Sequence, residues 1–515
     1  MNLDPSKGLV GAPVLVIGAG IMGVGIAQVA AQAGHEVMLF DLREGAAAAA
    51  RAKLETTLDA LAVKGKMSRD DALATLARIR PVAALNEAAG ARLAVEAIVE
   101  DLQAKRTLFR QLEAVLGDEA VLATNTSSIS VTAIANGLKQ PQRLVGMHFF
   151  NPVPLMRLVE VVSGLQTAPA VAQAIFELSK LWGKVPVHAK STPGFIVNRI
   201  ARPYYAETLA LLQEQAAAPH ELDACLSAAG FRMGPCELMD LIGHDTNFAV
   251  THSVYEANFC DKRFVPSLVQ RELVDGGLLG RKTGQGFYRY PAGAPAITPV
   301  AAPAPVGRPQ AVVVHGGDPV AGWLHGALKR VLGVDAERDT RSAWTGLAID
   351  GARLALTDGR TASERAAEEG GPDLAVFDRF DPGQAETGPL AYALAESAGE
   401  AWRAQAPAWL AALGFVPVRF VDAPGLVVAR TLAMLINEAA DAVAQGVCSA
   451  DAADAAMKLG VNYPKGPFQW LAQWSAAGVV SLLDALDAHH RGERYRASPW
   501  LRRQASLRPA LRWRP

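Results

Sequence analysis

Short, unbroken apolar runs alternate with stretches of helical spacing over the first 190 residues. Val14-Leu15-Val16-Ile17 is one such run, and it stops at a glycine. A stretch of mostly small residues follows over 25–33, closed by Gly34, and then a second apolar run at 35–40. Runs of four to eight apolar residues bounded by turn residues read as strands covered on both faces, as in parallel sheets. Further strands are predicted at 93–98, 120–124, 143–148, 158–162 and 183–188. Helices are predicted at 45–63 and 69–79, joined by the polar turn Lys64-Gly65-Lys66, which makes a helical hairpin inserted in the sheet. Strand and helix alternating in this way imply an α/β domain over 10–190, with a mostly parallel sheet between helical layers.

The pattern changes near Pro193. Helical spacing dominates 191–290, which closes on Gly280-Arg281-Lys282-Thr283-Gly284-Gln285-Gly286-Phe287-Tyr288. Residues 291–310 are rich in alanine and proline and read as a semi-rigid linker. A strand and glycine turn, Ala311-Val312-Val313-Val314-His315-Gly316-Gly317, then opens a weaker alternation over 311–420, read as a reduced α/β domain. Over 421–515 the helical domain repeats in degenerate form. Pro424-Gly425-Leu426-Val427-Val428-Ala429-Arg430 parallels Pro193-Gly194-Phe195-Ile196-Val197-Asn198-Arg199, and Lys465-Gly466-Pro467-Phe468 parallels Met233-Gly234-Pro235-Cys236. Internal duplication is the simplest source of such a match. The chain's 515 residues suit three or four domains at roughly 150 each.

The first glycine turn carries the most specific chemistry. Gly18, Gly20 and Gly23 have the spacing that lets a tight turn, a close-approaching pyrophosphate and a close-packed helix coexist. The helix starting at Ile21 and Met22 would offer free N–H groups and the positive end of its dipole to the phosphates. Asp41 ends the second strand about 20 residues on, where an acid accepts from a ribose 2′-hydroxyl and repels a 2′-phosphate. NAD is therefore expected over NADP, with Arg43 close enough to soften the preference. A dinucleotide domain followed by a helical domain predicts hydride transfer, which needs a general base for the substrate hydroxyl. His148, in Gly146-Met147-His148-Phe149-Phe150-Asn151-Pro152, is the candidate, since imidazole titrates near neutrality. Glu160 interrupts the apolar run Leu158-Val159-Glu160-Val161-Val162, and an acid there is costly unless paired. A Glu160–His148 bond would fix the imidazole tautomer.

Composition narrows the function further. Half the residues are apolar and the formal net charge is −1, which gives no electrostatic case for nucleic acid or membrane surfaces. Cys225, Cys236, Cys260 and Cys448 show no zinc-type spacing, so no metal is expected and a reduced, cytoplasmic setting fits. The N-terminal residues lack a secretory apolar core, and no run of ~20 apolar residues suggests a membrane span.

Five separated motifs share one resemblance. Residues 18–28, Asn125-Thr126-Ser127-Ser128, His148-Phe149-Phe150-Asn151-Pro152, 193–199 and 280–288 resemble the L-3-hydroxyacyl-CoA dehydrogenase family in order and interval. The resemblance implies a Rossmann-type NAD domain, and oxidation of a 3-hydroxyacyl-CoA thioester to the 3-oxoacyl form. It implies His148 as base, Glu160 as its positioning group, and Ser127 and Asn198 as donors to substrate oxygens. Glu100, Lys105 and Asn151 match positions near the cofactor. Each has a plainer reading: Ser127 as the cap of a helix beginning near Ile129, Asn198 as a partner for backbone groups, Glu100 and Lys105 as a surface ion pair. Lys53, Lys64 and Lys66 are candidates for the CoA phosphates, against the alternative of ordinary surface lysines. Ala429 replaces Asn198 in the second copy and no HFFNP-like segment precedes it, so one active site per chain is expected. The family's helical domains pack between subunits, and the second copy is expected to imitate that partner within one chain through apolar contact between 193–290 and 420–500; a homo-oligomer stays open. The doubled layout resembles long bacterial members that oxidise 3-hydroxyadipyl-CoA in phenylacetate degradation, for which Arg202 and Arg232 are candidate cations. The alternatives are 3-hydroxybutyryl-CoA in short-chain β-oxidation-type metabolism, and a non-catalytic NAD-binding protein resembling a lens crystallin.

Overall fold

In the computed structural model, residues 8–297, 309–383 and 387–507 are described. Most of the expected Ala/Pro linker, with the first seven and last eight residues, lies outside them. The described chain divides into two compact units, one running to Arg199 and including Ala442–Val461, the other made of Ile200–Asp441 and the residues from Asn462.

The first unit is built on eight strands: β1 (Val14–Ile17), β2 (Val37–Phe40), β3 (Ile79–Pro81), β4 (Leu93–Glu96), β5 (Val121–Thr124), β6 (Leu144–Phe149), β7 (Leu158–Ser163) and β8 (Val185–Lys190). Their order is β3-β2-β1-β4-β5-β6-β7-β8, with β6–β7 antiparallel and the others parallel. β1, β2, β4, β5 and β6 are buried along their whole length, as their continuous apolar runs require. β3 was not expected. Its sequence, Ile79-Arg80-Pro81, is too short and too polar to stand out, and it takes its place by pairing with β2. The helices Ala46–Val63 and Arg69–Ala77 form the inserted hairpin.

Residues 442–461, inside the stretch read as the second helical copy, pack with the first unit. Lys190 N–H donates to Val447 O (2.9 Å), Arg199 to Gln445 Oε1 (2.8 Å), and a Cβ on Gly460 would lie 2.7 Å from Leu158 and 3.0 Å from Val197. The helix Ala450–Gly460 therefore needs a glycine at its end to lie against β7.

The second unit holds seven strands: β9 (Val312–His315), β10 (Glu337–Asp339), β11 (Gly346–Ile349), β12 (Ala352–Leu356), β13 (Leu374–Phe377), β14 (Pro389–Leu394) and β15 (Val416–Arg419), ordered β10-β9-β11-β12-β13-β14-β15. β11 and β12 form a hairpin through Asp350-Gly351, both at positive φ (48° and 90°), the two-residue Asp-Gly turn that matches strand twist. β13–β14–β15 repeats the antiparallel-then-parallel pairing of β6–β7–β8. Gly194-Phe195 and Gly425-Leu426 share the same backbone turn, φ 74° then 47° in one and 74° then 51° in the other. The duplication thus extends back into the sheets.

Within this unit the two helical copies meet. Tyr204 and Phe231 of the first copy pack on Tyr463 and Trp470 of the second, with ring centroids 5.0–5.6 Å apart. The contact is not purely apolar, as expected, but also ionic. Arg430 is fully buried and reaches Glu207 (2.9 Å) and Glu214 (2.8 Å), Arg494 reaches Glu207 (2.7 Å), and Arg263 bonds Glu438 and Asp441. Glu207 was legible as an acid inside the apolar helix Arg202–Gln213, by the reasoning applied to Glu160.

Candidate active site

The glycine turn has the geometry its spacing implies. Gly18 lies at φ 105°, where a Cβ would meet Ala97 O at 2.4 Å. A Cβ on Gly23 would fall 1.7 Å from Gly18 O, so the helix Ile21–Gln32 rests directly on the turn. Gly20 caps that helix, and a Cβ there would meet nothing within 4 Å. This open side, beside the helix N-terminus and the exposed Ile21, is a cradle suited to a pyrophosphate. Asp41 closes it by accepting from Ala19 N–H (2.8 Å). The Arg43 guanidinium beside Asp41, helped by that amide, holds the carboxyl at about 2 against the upward push of burial.

Two acids set the loop after β5. Glu100 Oε1 accepts from the Thr126 hydroxyl (2.6 Å), from the N–H groups of Ser127 (2.9 Å) and Ser128 (3.1 Å), and from the Ser128 hydroxyl (2.9 Å). Burial pushes its carboxyl up, but Lys105 and these hydroxyls outweigh it and bring it to about 2. Glu100 and Lys105 are not a surface pair: Lys105 is 1% exposed and lies between Glu100 (3.2 Å) and the fully buried Glu96 (2.6 Å). Glu96 also accepts from Thr124 Oγ1 (2.6 Å) and Ile98 N–H (2.7 Å). It was missed, although an acid ending the apolar run Leu93-Ala94-Val95 gives the same signal as Glu160. Ser127 does not cap the following helix, which runs Val131–Ala135 and is capped by Ser130. Among the described residues its hydroxyl makes only a long contact, 3.4 Å, to Glu100.

β6 and β7 pair His148 with Glu160 in register. His148 Nδ1 lies 2.5 Å from Glu160 Oε2. The other carboxylate oxygen accepts from Ile196 N–H (3.0 Å) and Val197 N–H (2.9 Å), at the start of the turn Val197–Ile200. Glu160 is fully buried and His148 is 5% exposed, its ring packed against Phe150 and Phe195. Among the described residues, His148 Nε2 has no hydrogen-bond partner. Asn198 follows directly, and its Nδ2 is 3.4 Å from Ser127 O. The fold thus brings His148, Glu160, Ser127 and Asn198 together in one unit. Asn151 is exposed at the end of the same segment, and Lys184 braces the loop beyond it by donating to Val153 O and Met156 O. Burial lowers that ammonium to about 8.

A model of the NAD binding domain of 3-hydroxyacyl-CoA dehydrogenase matches residues 13–192, and one of the C-terminal domain matches 194–290 and again 425–509. The chain belongs to the 3-hydroxyacyl-CoA dehydrogenase family. A further model, the reduced Rossmann-fold domain of 3-hydroxybutyryl-CoA dehydrogenase, matches 354–424. The chain is 43% identical to 3-hydroxyadipyl-CoA dehydrogenase of Escherichia coli K12 over 96% of its own length and 97% of the relative's. A crystal structure of an E. coli K12 3-hydroxybutyryl-CoA dehydrogenase superposes with a TM-score of 0.87 at 42% identity, covering 96% of this chain and 98% of that one. A probable 3-hydroxybutyryl-CoA dehydrogenase of Deinococcus radiodurans is 42% identical over 53% of this chain and 99% of its own. The chain is an NAD-dependent 3-hydroxyacyl-CoA dehydrogenase.

The remaining candidates are scattered. Lys53, Lys64 and Lys66 are exposed on and just after the helix Ala46–Val63, without ion pairs among the described residues. In the second unit Arg202 is buried, bonds Thr251 (3.2 Å) and lies over the Tyr205 ring, while Arg232 is exposed before the Gly234-Pro235 turn. The expectation that no HFFNP-like segment precedes Ala429 needs correction. Asp378-Arg379-Phe380-Asp381-Pro382 follows β13 as His148-Phe149-Phe150-Asn151-Pro152 lies on and follows β6. Asp378 stands in for the histidine and accepts directly from Val427, Val428 and Ala429 N–H (2.6–2.9 Å), where Glu160 serves the first copy. Among the described residues no helix is long and apolar enough to cross a membrane.

Proposed function

We propose that His148 is the general base and that the preferred substrate is (S)-3-hydroxyadipyl-CoA, oxidised as part of phenylacetate breakdown in the cytoplasm. The observation that carries the catalytic reading is the buried Glu160–His148 pair, which leaves Nε2 without a partner among the described residues, in the same unit as the Asn198–Ser127 contact. Bound NAD supplies the hydride acceptor. His148 Nε2 takes the C3 hydroxyl proton as hydride leaves C3, so the carbinol becomes a ketone and the imidazole becomes imidazolium. Glu160 keeps the Nδ1–H tautomer and stabilises the positive ring. The Ser127 hydroxyl and Asn198 amide donate to the substrate oxygens, each worth a few kcal/mol where water is excluded. Gly18, Gly20, Ile21, Met22 and Gly23 hold the pyrophosphate, Asp41 the ribose, and Glu100, Lys105 and Asn151 shape the nicotinamide side.

The dicarboxylyl substrate is supported by the full-length similarity to the E. coli 3-hydroxyadipyl-CoA enzyme, which extends through the second half of the chain. Arg232 is the cation we assign to the distal carboxylate, since Arg202 is already engaged by Thr251 and Tyr205. Lys53, Lys64 and Lys66 are assigned to the CoA phosphates. The 3-hydroxybutyryl-CoA names among the relatives favour a second, shorter substrate. NADH formation from 3-hydroxyadipyl-CoA and 3-hydroxybutyryl-CoA, with wild type and Arg232→Met, tests the assignment. A higher kcat/KM on the six-carbon diacid, lost in the variant, is expected; a preference for the four-carbon thioester refutes it. The four free cysteines fit a reduced compartment.

A further inference from the structure

The duplicated half of the chain has a cavity beside the segment that corresponds to His148–Pro152 of the first copy. The cavity, of about 310 Å³, lies at the low end of the range typical of small-molecule sites. It opens between the start of the helix Pro319–Leu332, which follows the glycine turn Gly316-Gly317, and Arg379-Phe380, which stand in the His148 segment's place. Its other walls include Leu432, Trp470 and Trp474.

The charges around it are unequally satisfied. Lys465 is paired with Asp381 (2.5 Å) and donates to Gln473. Asp318 caps the helix through Ala321 N–H and accepts from the Thr345 hydroxyl, both at 2.9 Å. Asp378 spends its two oxygens on four backbone N–H groups. Arg379 is left. Its guanidinium stacks over Trp474 at 3.9 Å, and its Nε is buried with no hydrogen-bond partner. Burial lowers this guanidinium to about 10. Asp318 and Asp378 oppose this by charge alone, since neither carboxylate bonds the guanidinium among the described residues, and stacking on one aromatic face offsets little of the remaining cost.

We propose that this cavity is a second, non-catalytic ligand site that takes a small amphipathic carboxylate. The anionic end meets the Arg379 guanidinium, and the apolar body lies against Trp470, Phe380 and Leu432. The site turns nothing over: Asp378 replaces the histidine and its carboxylate is consumed by the helix start, and Ala429 replaces Asn198. A single guanidinium with no hydrogen-bonded anion, among mostly apolar walls, selects a monoanion with a hydrocarbon or aryl body over a polyphosphate.

The test is calorimetric titration of the full-length protein with octanoate and with octan-1-ol, its neutral counterpart. Saturable binding of one octanoate, at least tenfold tighter than the alcohol, is expected, because a charge-assisted bond to a buried guanidinium is worth about that factor. Arg379→Met is expected to weaken octanoate tenfold or more, leave the alcohol unchanged, and leave NADH formation intact. Ala229→Phe, which adds bulk to the cavity lining, is expected to abolish binding of both and serves if Arg379→Met does not fold. Octanoate binding that survives both variants belongs elsewhere in the molecule and overturns the proposal. So does equal affinity for acid and alcohol, or the absence of saturable binding.

Discussion

Replacing Glu160 by glutamine separates the orientation of His148 from the stability of the fold. In the native carboxylate, Oε1 accepts two backbone N–H bonds, at 3.0 and 2.9 Å, while Oε2 faces His148 Nδ1 at 2.5 Å. A glutamine has one acceptor and one donor end. Turning its NH2 toward Ile196 and Val197 would set donor against two buried donors, so its carbonyl must stay there. The NH2 group then faces Nδ1, which must become an acceptor. The proton moves to Nε2, the atom that should receive the substrate's proton, and the charge that steadies the imidazolium is gone. Amidating a carboxylate that orients a catalytic histidine costs about 10⁴ in rate, which corresponds to roughly 5 kcal/mol of barrier. NADH formation by Glu160→Gln at saturating substrate is expected to fall by about three to four orders of magnitude on this basis. The two retained N–H bonds should keep its melting temperature close to wild type, and NADH affinity should not change. A variant that keeps more than about a tenth of wild-type kcat would refute the argument, since a factor of ten is only 1.4 kcal/mol.

Other consequences are equally open to measurement. Gly20→Ala should fold and melt normally, because φ is −77° and its Cβ has open space, yet bind NADH at least about tenfold more weakly; Gly23→Ala should lose both, its Cβ falling 1.7 Å from Gly18 O. The Glu100 carboxylate is depressed to about 2 in the fold, so its contribution is present above the ordinary carboxylate range near 4.5 and lost as pH falls toward 2. With its side chain 36% exposed, solvent screening cuts that contribution to about 1–2 kcal/mol. Unfolding curves of wild type and Glu100→Gln should therefore converge in acid, and a gap that stays constant from neutrality to low pH would contradict this. Arg430→Met leaves the buried Glu207 with only Arg494 and Tyr495, and should destabilise the second unit by about 3 kcal/mol in denaturant titration. Adding Glu207→Gln should recover part of that loss, and no recovery would argue against a charge origin.

Much of the fold was legible because its signals are local. The apolar runs of β1, β2, β4, β5 and β6 mark strands covered on both faces, and Gly18 and Gly23 occupy positions where a side chain would strike backbone. Glu160 was legible for the same kind of reason, since an acid within an apolar strand demands a partner. Glu96, Glu207 and Asp378 carry that signal too, but their partners lie on elements that local spacing cannot bring together. The degenerate DRFDP segment was hidden because losing the histidine also removed the feature that marks the motif. The docking of 442–461 on β7 and β8 depends on Gly460 meeting Leu158 and Val197, a contact between residues hundreds of positions apart. Arg202 looked available in sequence and proves buried, because Thr251 and Tyr205 come from other turns of the helical domain.

The most direct measurement compares wild type with His148→Ala for two quantities, NADH binding and NADH formation from 3-hydroxyacyl-CoA. Unchanged NADH affinity with turnover reduced at least about a thousandfold is predicted, as befits loss of the base assigned to the substrate hydroxyl. Near-normal turnover without the imidazole would contradict the assignment of His148 and move the proton chemistry to another group.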